Sequence, residues 1–190
     1  GKISIITFWV LETVCKDMAT FIEQHGPEIK VSFNLSALDL KDSELSKKIE
    51  SLFKKHDIDG RNVEIEVTES VYLDNFDSAN TFFEDMTKLN CSIALDDFGC
   101  GYSSLGYLTQ INIDTLKIDK QFVDHIALSS KSKLVTNAII EMGKNLGLEI
   151  CAEGVETAEQ AELLKESGCN QLQGYLYSKP SSIKQLFAKS

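Results

Sequence analysis

The stretch SIALDDFGCGYSSL, residues 92–105, joins a β-type run to two acidic residues and a glycine-rich segment. Its first part, Ser92–Asp97, alternates larger apolar side chains with smaller or polar ones, which predicts a strand. Asp96 and Asp97 stand where this strand ends, and Gly99 and Gly101 permit a tight loop directly afterwards. The stretch therefore predicts a strand whose carboxyl end presents acidic groups beneath a loop of small residues.

Five further β-type runs lie before and after this stretch in the sequence, and helical patterns separate them. The runs are Lys30–Ser36, Val63–Thr68, Thr115–Asp119, Glu149–Glu153 and, more weakly, Asn170–Gly174. The helical patterns are Ile3–Gln24, Asp42–Lys55, Asp77–Leu89, Lys133–Leu146 and Thr157–Ser167, with Gly168 as a helix stop. Alternating strands and helices imply parallel strands joined by right-handed crossovers, so the predicted fold class is α/β.

Each predicted strand carries a polar residue at its carboxyl side. These residues are Asn34, Glu66, Asp96, Lys117, Glu153 and Gln173. The agreement favours a TIM-type (β/α) barrel, in which inward side chains at the strand ends converge on the active site. An open doubly wound sheet is the alternative, because its ligand sites also lie at carboxyl strand ends.

The strand-end residues have the chemistry of a hard-metal site. Glu66, Asp96, Asp97 and Glu153 offer carboxylate oxygens and Asn34 a carbonyl oxygen. Because neither His nor Cys is among them, the set suits Mg²⁺ or Mn²⁺ better than zinc or copper. Two such ions could clamp a phosphate and lower the pKa of a bound water.

Two of these residues have predicted roles in proton and charge transfer. Lys117 could hold the water or the developing negative charge, and Glu153 could accept the proton. The alternative for Lys117 is a structural salt bridge to Asp96 or Glu153. The loop after Asp97 has an alternative too, as an ordinary strand-to-helix connection capped by Ser103 or Ser104.

Composition excludes several classes of protein. The 190 residues include 19 Lys and Arg against 29 Asp and Glu, a formal net charge of -10, which argues against a duplex nucleic acid as partner. Five cysteines without CxxC spacing argue against a disulfide framework and fit a cytoplasmic domain. The apolar run Ile3–Leu11 is too short to span a bilayer, although flanking residues could tether the full-length protein to a membrane.

At its motif residues the sequence resembles the EAL-domain family of bacterial cyclic-di-GMP phosphodiesterases. The matching stretches, in the family's order, are Asn34-Leu35-Ser36, Glu66–Ser70, Asp96–Leu105, Leu116–Asp119, Ala152–Thr157 and Gln173–Pro180. The resemblance runs from about Ile6 to Pro180. It implies a single EAL-type domain over residues 1–190, a β/α barrel, that hydrolyses cyclic-di-GMP to linear pGpG with two Mg²⁺ or Mn²⁺ ions.

The resemblance also implies roles for individual residues. Metal ligands would be Asn34, Glu66, Asp96 and Asp97. Glu153 would be the general base or a ligand through water, and Lys117 would orient the nucleophilic water. Gln173, Glu156 and Asp119 would contact substrate or support the site. Glu69 would brace the loop containing Phe98, Gly99 and Gly101, which lies near the dimer interface in such enzymes and implies a homodimer.

Two departures from the family pattern affect these expectations. Cys100 replaces the usual threonine, a small-for-small change with a modest expected effect. The Glu-Ala-Leu triplet that names the family, and the strand before it, are not in the sequence, so the chain is expected to lack its first strands and one ligand glutamate. As given, it is therefore expected to be inactive while the natural protein is an active enzyme.

Two other functions are consistent with the sequence. The protein could be a catalytically inactive cyclic-di-GMP receptor, or an EAL-like interaction module that no longer binds the nucleotide. Family members commonly combine such domains with GGDEF, PAS or membrane modules, so the cytoplasmic prediction concerns this domain alone.

Overall fold

Strands alternate with helices along the whole computed structural model, which describes residues 2–100 and 105–187. The chain divides into two compact units, of which the first ends at Ala94 and the second begins at Leu95. The described residues contain six strands, β1 to β6 in chain order. The predicted alternation of strand and helix is therefore confirmed.

Unit 1 contains two complete strands and four α-helices. In chain order they are α1 (Lys2–His25), β1 (Val31–Asn34), α2 (Leu45–His56), β2 (Val63–Thr68), α3 (Glu69–Asp74) and α4 (Phe76–Lys88), with a 3₁₀ turn at Gly60–Asn62. The amphipathic α2 buries Leu45, Ile49 and Phe53, which recur every four residues and so share one face. Burial of this apolar face explains why the helix forms despite its many charged residues.

Strands β1 and β2 pair in parallel, with Val31 opposite Val63 and Asn34 opposite Glu66. In β2 the apolar Val63, Ile65 and Val67 are fully buried, and so are the intervening glutamates Glu64 and Glu66. Burial on both faces is typical of strands in parallel α/β folds. The polar face predicted from the alternation is thus an interior face.

Unit 2 contains the remaining strands and helices. Strand β3 (Ser92–Phe98) enters it at Leu95, followed by a 3₁₀ turn (Leu105–Thr109), β4 (Thr115–Ile118), α5 (Lys120–His125), α6 (Ser130–Asn145), β5 (Glu149–Ala152), α7 (Ala158–Ser167), β6 (Gln171–Leu172) and α8 (Ile183–Phe187). Strands β4, β5 and β6 pair in parallel, with Lys117 opposite Cys151 and Cys151 opposite Gln171.

Close packing of α6 against β5 builds the core of unit 2. A Cβ atom on Gly143 of α6 would overlap the side chain of Ile150, so only glycine permits the approach. Ile150, Leu116 and Ile118 are all completely buried. The helix packs through Thr136, Ile140 and Gly143, which are buried. The apolar stripe that the sequence predicts, with Leu134, Val135 and Leu146, is largely exposed, so the predicted packing face was wrong. The helix begins at Ser130, three residues before the predicted start.

The start of α7 is held by a single amide side chain. Thr157 is the N-cap of a capping box whose partner is Gln160. The Oε1 atom of Gln160 accepts from the backbone N–H groups of Glu156 (2.8 Å) and Thr157 (3.0 Å), and its Nε2 donates to the carbonyl oxygen of Val123 (3.3 Å). The helix ends at Gly168 in the left-handed conformation, as predicted.

The strand predictions agree closely with the observed bounds. Strand β2 matches exactly, and β6 is shortest, two residues where five were predicted. The expected caps Ser103 and Ser104 lie outside the described residues. No helix in the described part of the chain has both the length and the apolar character needed to cross a membrane.

Candidate active site

The end of β3 places two carboxylates on one side of the strand. Asp96 is buried and Asp97 is exposed, yet both contribute an oxygen atom to the same cluster. In a regular strand consecutive side chains point to opposite faces. Asp97 instead has a φ of 55°, in the left-handed region, and its N–H donates to Asp96 Oδ1 at 2.9 Å. This local turn brings the second carboxylate to the side of the first.

Glu153, directly after β5, completes the cluster. One carboxylate oxygen from each of Asp96, Asp97 and Glu153 lies within 4.8 Å of the others. The backbone N–H of Glu153 donates to Ile118 O at 3.1 Å, which continues the β4–β5 ladder and fixes where the glutamate leaves the sheet. Three oxygen donors at this spacing fit a hard divalent cation such as Mg²⁺ or Mn²⁺.

Lys117 on β4 is the buried cation of this group. Its side chain is 3% exposed, and its Nζ lies 2.6 Å from Glu153 Oε1 and 3.5 Å from Asp96 Oδ1. The predicted salt bridge to Asp96 or Glu153 therefore exists with both partners. A buried ammonium group needs such partners, because burial without them costs several kcal/mol.

The surroundings of Asp97 shift the pKa of this carboxyl group upward. Partial burial raises the pKa of Asp97, and the Asp96 and Asp119 carboxylates raise it further, whereas Lys117 lowers it. The net effect is upward, so the single ammonium group does not compensate the negative charge around Asp97. The site consequently favours additional positive charge.

The predicted ligands of unit 1 end neighbouring strands. Asn34 is exposed at the end of β1 and lies opposite the buried Glu66 of β2 in register. Two residues earlier, the Ser32 hydroxyl donates to Glu64 Oε2 at 3.0 Å. Polar pairs thus follow one another along the same face of β1 and β2, and their role as metal ligands stays a prediction.

Three predicted supporting residues occupy different positions around unit 2. Asp119 is the N-cap of α5, accepting from Gln121 N at 2.8 Å, and it also acts on the pKa of Asp97. Glu156 pairs with Lys120. Gln173 is exposed, and its backbone links Ala152 O (2.8 Å) with Val155 N (3.0 Å). Their assignment to substrate or support remains a prediction.

The segment after Asp97 has a constrained backbone. Phe98 is buried, and Gly99 has a φ of 92°, with the Phe122 ring in the space that a Cβ would occupy. The exposed Cys100 accepts a hydrogen bond at Sγ from Gln121 Nε2 (3.1 Å). Gly101 lies outside the described residues. Glu69 is the buried first residue of α3 in unit 1, and its bracing role stays a prediction.

Sequence reasoning did not single out Lys120, which lies beside this group. Its methylene groups occupy the space where Gly154 would carry a Cβ, and its ammonium pairs with Glu156. The available signal was the matched spacing of Lys117 and Lys120 with Glu153 and Glu156, each pair three residues apart.

Comparison with known proteins places these observations in a family. The family model described as EAL domain matches residues 1–180. The chain belongs to the EAL domain family. It is similar to signaling protein YkoW of Bacillus subtilis, with 40% identity over 185 residues, which are 97% of this chain and 23% of that protein.

A second relative and a solved structure agree with this assignment. The bifunctional diguanylate cyclase/cyclic di-GMP phosphodiesterase MucR of Pseudomonas aeruginosa is 36% identical over 188 residues, 99% of this chain and 27% of that protein. A structure described as PaMucR phosphodiesterase in complex with c-di-GMP has a TM-score of 0.91 and 35% identity, covering 98% of this EAL chain and 75% of that one.

These matches confirm the predicted fold class. It is the α/β class with a TIM-type (β/α) barrel, of which the described residues contain six strands. The chain spans about a quarter of the length of these two curated relatives, 23% and 27%.

Proposed function

We propose that this EAL domain hydrolyses cyclic-di-GMP to linear pGpG in bacterial second-messenger signalling. The observation that carries the proposal is the cluster of Asp96, Asp97 and Glu153 around the buried Lys117. Acidic groups with one cationic partner at the carboxyl ends of parallel strands suit metal-assisted hydrolysis of a phosphodiester. The relative MucR, named as a cyclic di-GMP phosphodiesterase, supports the choice of substrate.

The cofactor of this proposal is Mg²⁺ or Mn²⁺, as two ions. Asp96 and Asp97 would hold them in unit 2, with Glu153 as a further ligand through water, and Asn34 and Glu66 are the proposed ligands of unit 1. Such ions neutralise phosphate charge and lower the pKa of an attacking water. The all-oxygen donor set supports these metals over zinc, which prefers nitrogen and sulfur ligands.

The chain's own residues would move the proton and orient the reactants. Glu153 is the proposed general base, because its carboxylate lies at the cluster and can accept the proton of the attacking water. Lys117 fixes Glu153 through the 2.6 Å contact and directs positive charge toward the cluster, where negative charge develops on the phosphate. Asp119, Glu156 and Gln173 are proposed to support substrate or these groups.

The proposal extends to the assembly and setting of the domain. Residues 1–190 are proposed to form one EAL-type domain in the cytoplasm, within a longer protein carrying GGDEF, PAS or membrane modules. The loop with Phe98, Gly99 and Gly101, braced by Glu69, is proposed to couple metal binding to a homodimer. The left-handed backbone at Asp97 and Gly99 supports a loop whose geometry depends on its surroundings.

The test incubates the full-length protein with cyclic-di-GMP and either Mg²⁺ or Mn²⁺ and follows pGpG by chromatography. The full-length protein is used because the chain spans only about a quarter of the length of the two curated relatives YkoW and MucR. Formation of pGpG that stops with a chelator and returns with the metal is the expected result. Micromolar binding without turnover would replace the proposal with the receptor function, and absence of both would favour the interaction module.

A further inference from the structure

We infer that Lys120 is a positioning residue. Its side chain packs beside Gly154 and pairs with Glu156, and it thereby sets the position of Glu153, the proposed base. The inference rests on the proposed function for the role of Glu153. It does not depend on that function for the contacts themselves, which lie within unit 2. Nothing in the family match assigns a role to this lysine.

The first support is the path of the segment. Gly154 follows Glu153 with a φ of 69°, in the left-handed region that favours glycine. The Cβ, Cγ and Cδ atoms of Lys120 fill the space beside Gly154 that another residue would need for its Cβ. The lysine stem therefore covers the backbone at the point where the chain turns away from the base.

The second support is the pairing of charges. Lys117 and Lys120 are three residues apart, as are Glu153 and Glu156. The inner lysine pairs with Glu153, and the outer lysine pairs with Glu156. The two ion pairs enclose the turn at Gly154, so a shift of this segment that moves Glu153 would also strain the outer pair.

The third support is the backbone network that Lys120 completes. Glu153 N donates to Ile118 O (3.1 Å), Val155 N to Gln173 O (3.0 Å) and Glu156 N to Gln160 Oε1 (2.8 Å). Of the segment's described contacts, the ion pair with Lys120 is the one that uses the side chain of Glu156. Because this pair is about half exposed, at 48% and 45%, it contributes little to global stability, and its effect is local.

The experiment compares Lys120→Met, which keeps most of the stem and removes the charge, with Lys120→Arg, which keeps both. Lys88→Met is the matched control, because Lys88 is an exposed lysine of unit 1 that pairs with Asp85 at 2.9 Å. Turnover of cyclic-di-GMP with Mn²⁺ is measured in the full-length protein, together with hydrogen exchange of the Val155 and Glu156 amides.

Lys120→Met is expected to lower kcat about tenfold with KM unchanged, and to speed exchange of both amides about tenfold, since opening of this segment limits their exchange. Lys120→Arg and Lys88→Met are expected to stay within about twofold of the parent protein in both measurements. Unchanged kcat and exchange in Lys120→Met would overturn the inference. A raised KM with normal kcat would overturn it too, because Lys120 would then contact the substrate.

Amide exchange distinguishes failure of this inference from failure of the proposed function. If the parent protein does not turn over cyclic-di-GMP, faster exchange at Val155 and Glu156 in Lys120→Met alone still supports the positioning role. Unchanged exchange in that case removes it.

Discussion

Both units carry acidic side chains on or directly after their strands, but the contacts that hold these side chains differ. In unit 1 the buried Glu64 accepts a hydrogen bond from the neutral Ser32 hydroxyl, one step before the Asn34–Glu66 pair. In unit 2 Asp96 and Glu153 share the buried ammonium group of Lys117. An ion pair positions the acidic group of unit 2, so we expect substitutions there to have larger effects than substitutions at the Ser32–Glu64 hydrogen bond.

Removal of the buried ammonium group of Lys117 should have the largest effect on stability and turnover. Lys117→Met leaves Asp96 and Glu153 without their shared cation, and losing one partner of a buried pair costs about 3 kcal/mol. The free energy of unfolding, measured in urea without divalent cations, should fall by that amount. Turnover with Mn²⁺ should fall at least about 100-fold.

Added Mn²⁺ provides the control for this variant. A divalent cation compensates the same carboxylates, so it should stabilise Lys117→Met more than the parent protein. A loss of stability below about 1 kcal/mol would show that Lys117 is not the group that balances these carboxylates.

The substitution Glu153→Gln removes the negative charge of the side chain and keeps its size and shape. The amide oxygen of glutamine still accepts a hydrogen bond from Lys117, and Asp96 remains its ionic partner, so the free energy of unfolding should fall by less than in Lys117→Met. Turnover should fall about 100-fold or more, because the amide cannot accept the proton. Urea unfolding and assays of pGpG formation check these two expectations, and unchanged turnover would remove Glu153 from the base role.

Gly99→Ala tests the loop of unit 2 with a smaller expected effect. It combines a positive φ with overlap on the Phe122 ring, and should lower the free energy of unfolding by about 2 kcal/mol. Gly147→Ala is the matched control, because Gly147 has a φ of 80° and no atom near the added Cβ. Its cost should be about 1 kcal/mol. Equal losses in the two variants would mean that Phe122 yields without strain.

The Ser32–Glu64 hydrogen bond of unit 1 should give the smallest response. Ser32→Ala removes the hydroxyl that donates to Glu64 and should lower the free energy of unfolding by about 1 kcal/mol, with turnover within about twofold of the parent. Ser32→Thr keeps the hydroxyl and should be nearly neutral. A loss in Ser32→Ala as large as that in Lys117→Met would contradict the distinction between the two units.

The polar residues at the carboxyl ends of the predicted strands include the main residues of the site. Asp96, Lys117 and Glu153 follow from alternation and parallel topology, because these two features decide which side chains share a face and an end. The left-handed turn at Asp97 did not follow, since aspartate has only a modest preference for that conformation. The position of Lys120 beside Gly154 did not follow either, because it depends on a tertiary contact between the start of α5 and the segment after β5 rather than on a local pattern.

The contacts of the Gln160 amide at the start of α7 limit the effects that mutation and deamidation can have at this position without loss of structure. Its carbonyl and its NH₂ group are both in use, so an isosteric carboxylate would set an acceptor against the Val123 carbonyl oxygen. Glutamate is nonetheless the product of one-nucleotide change in a glutamine codon, and of spontaneous deamidation. At this position a single-nucleotide change and deamidation therefore lead to the same unsuitable residue.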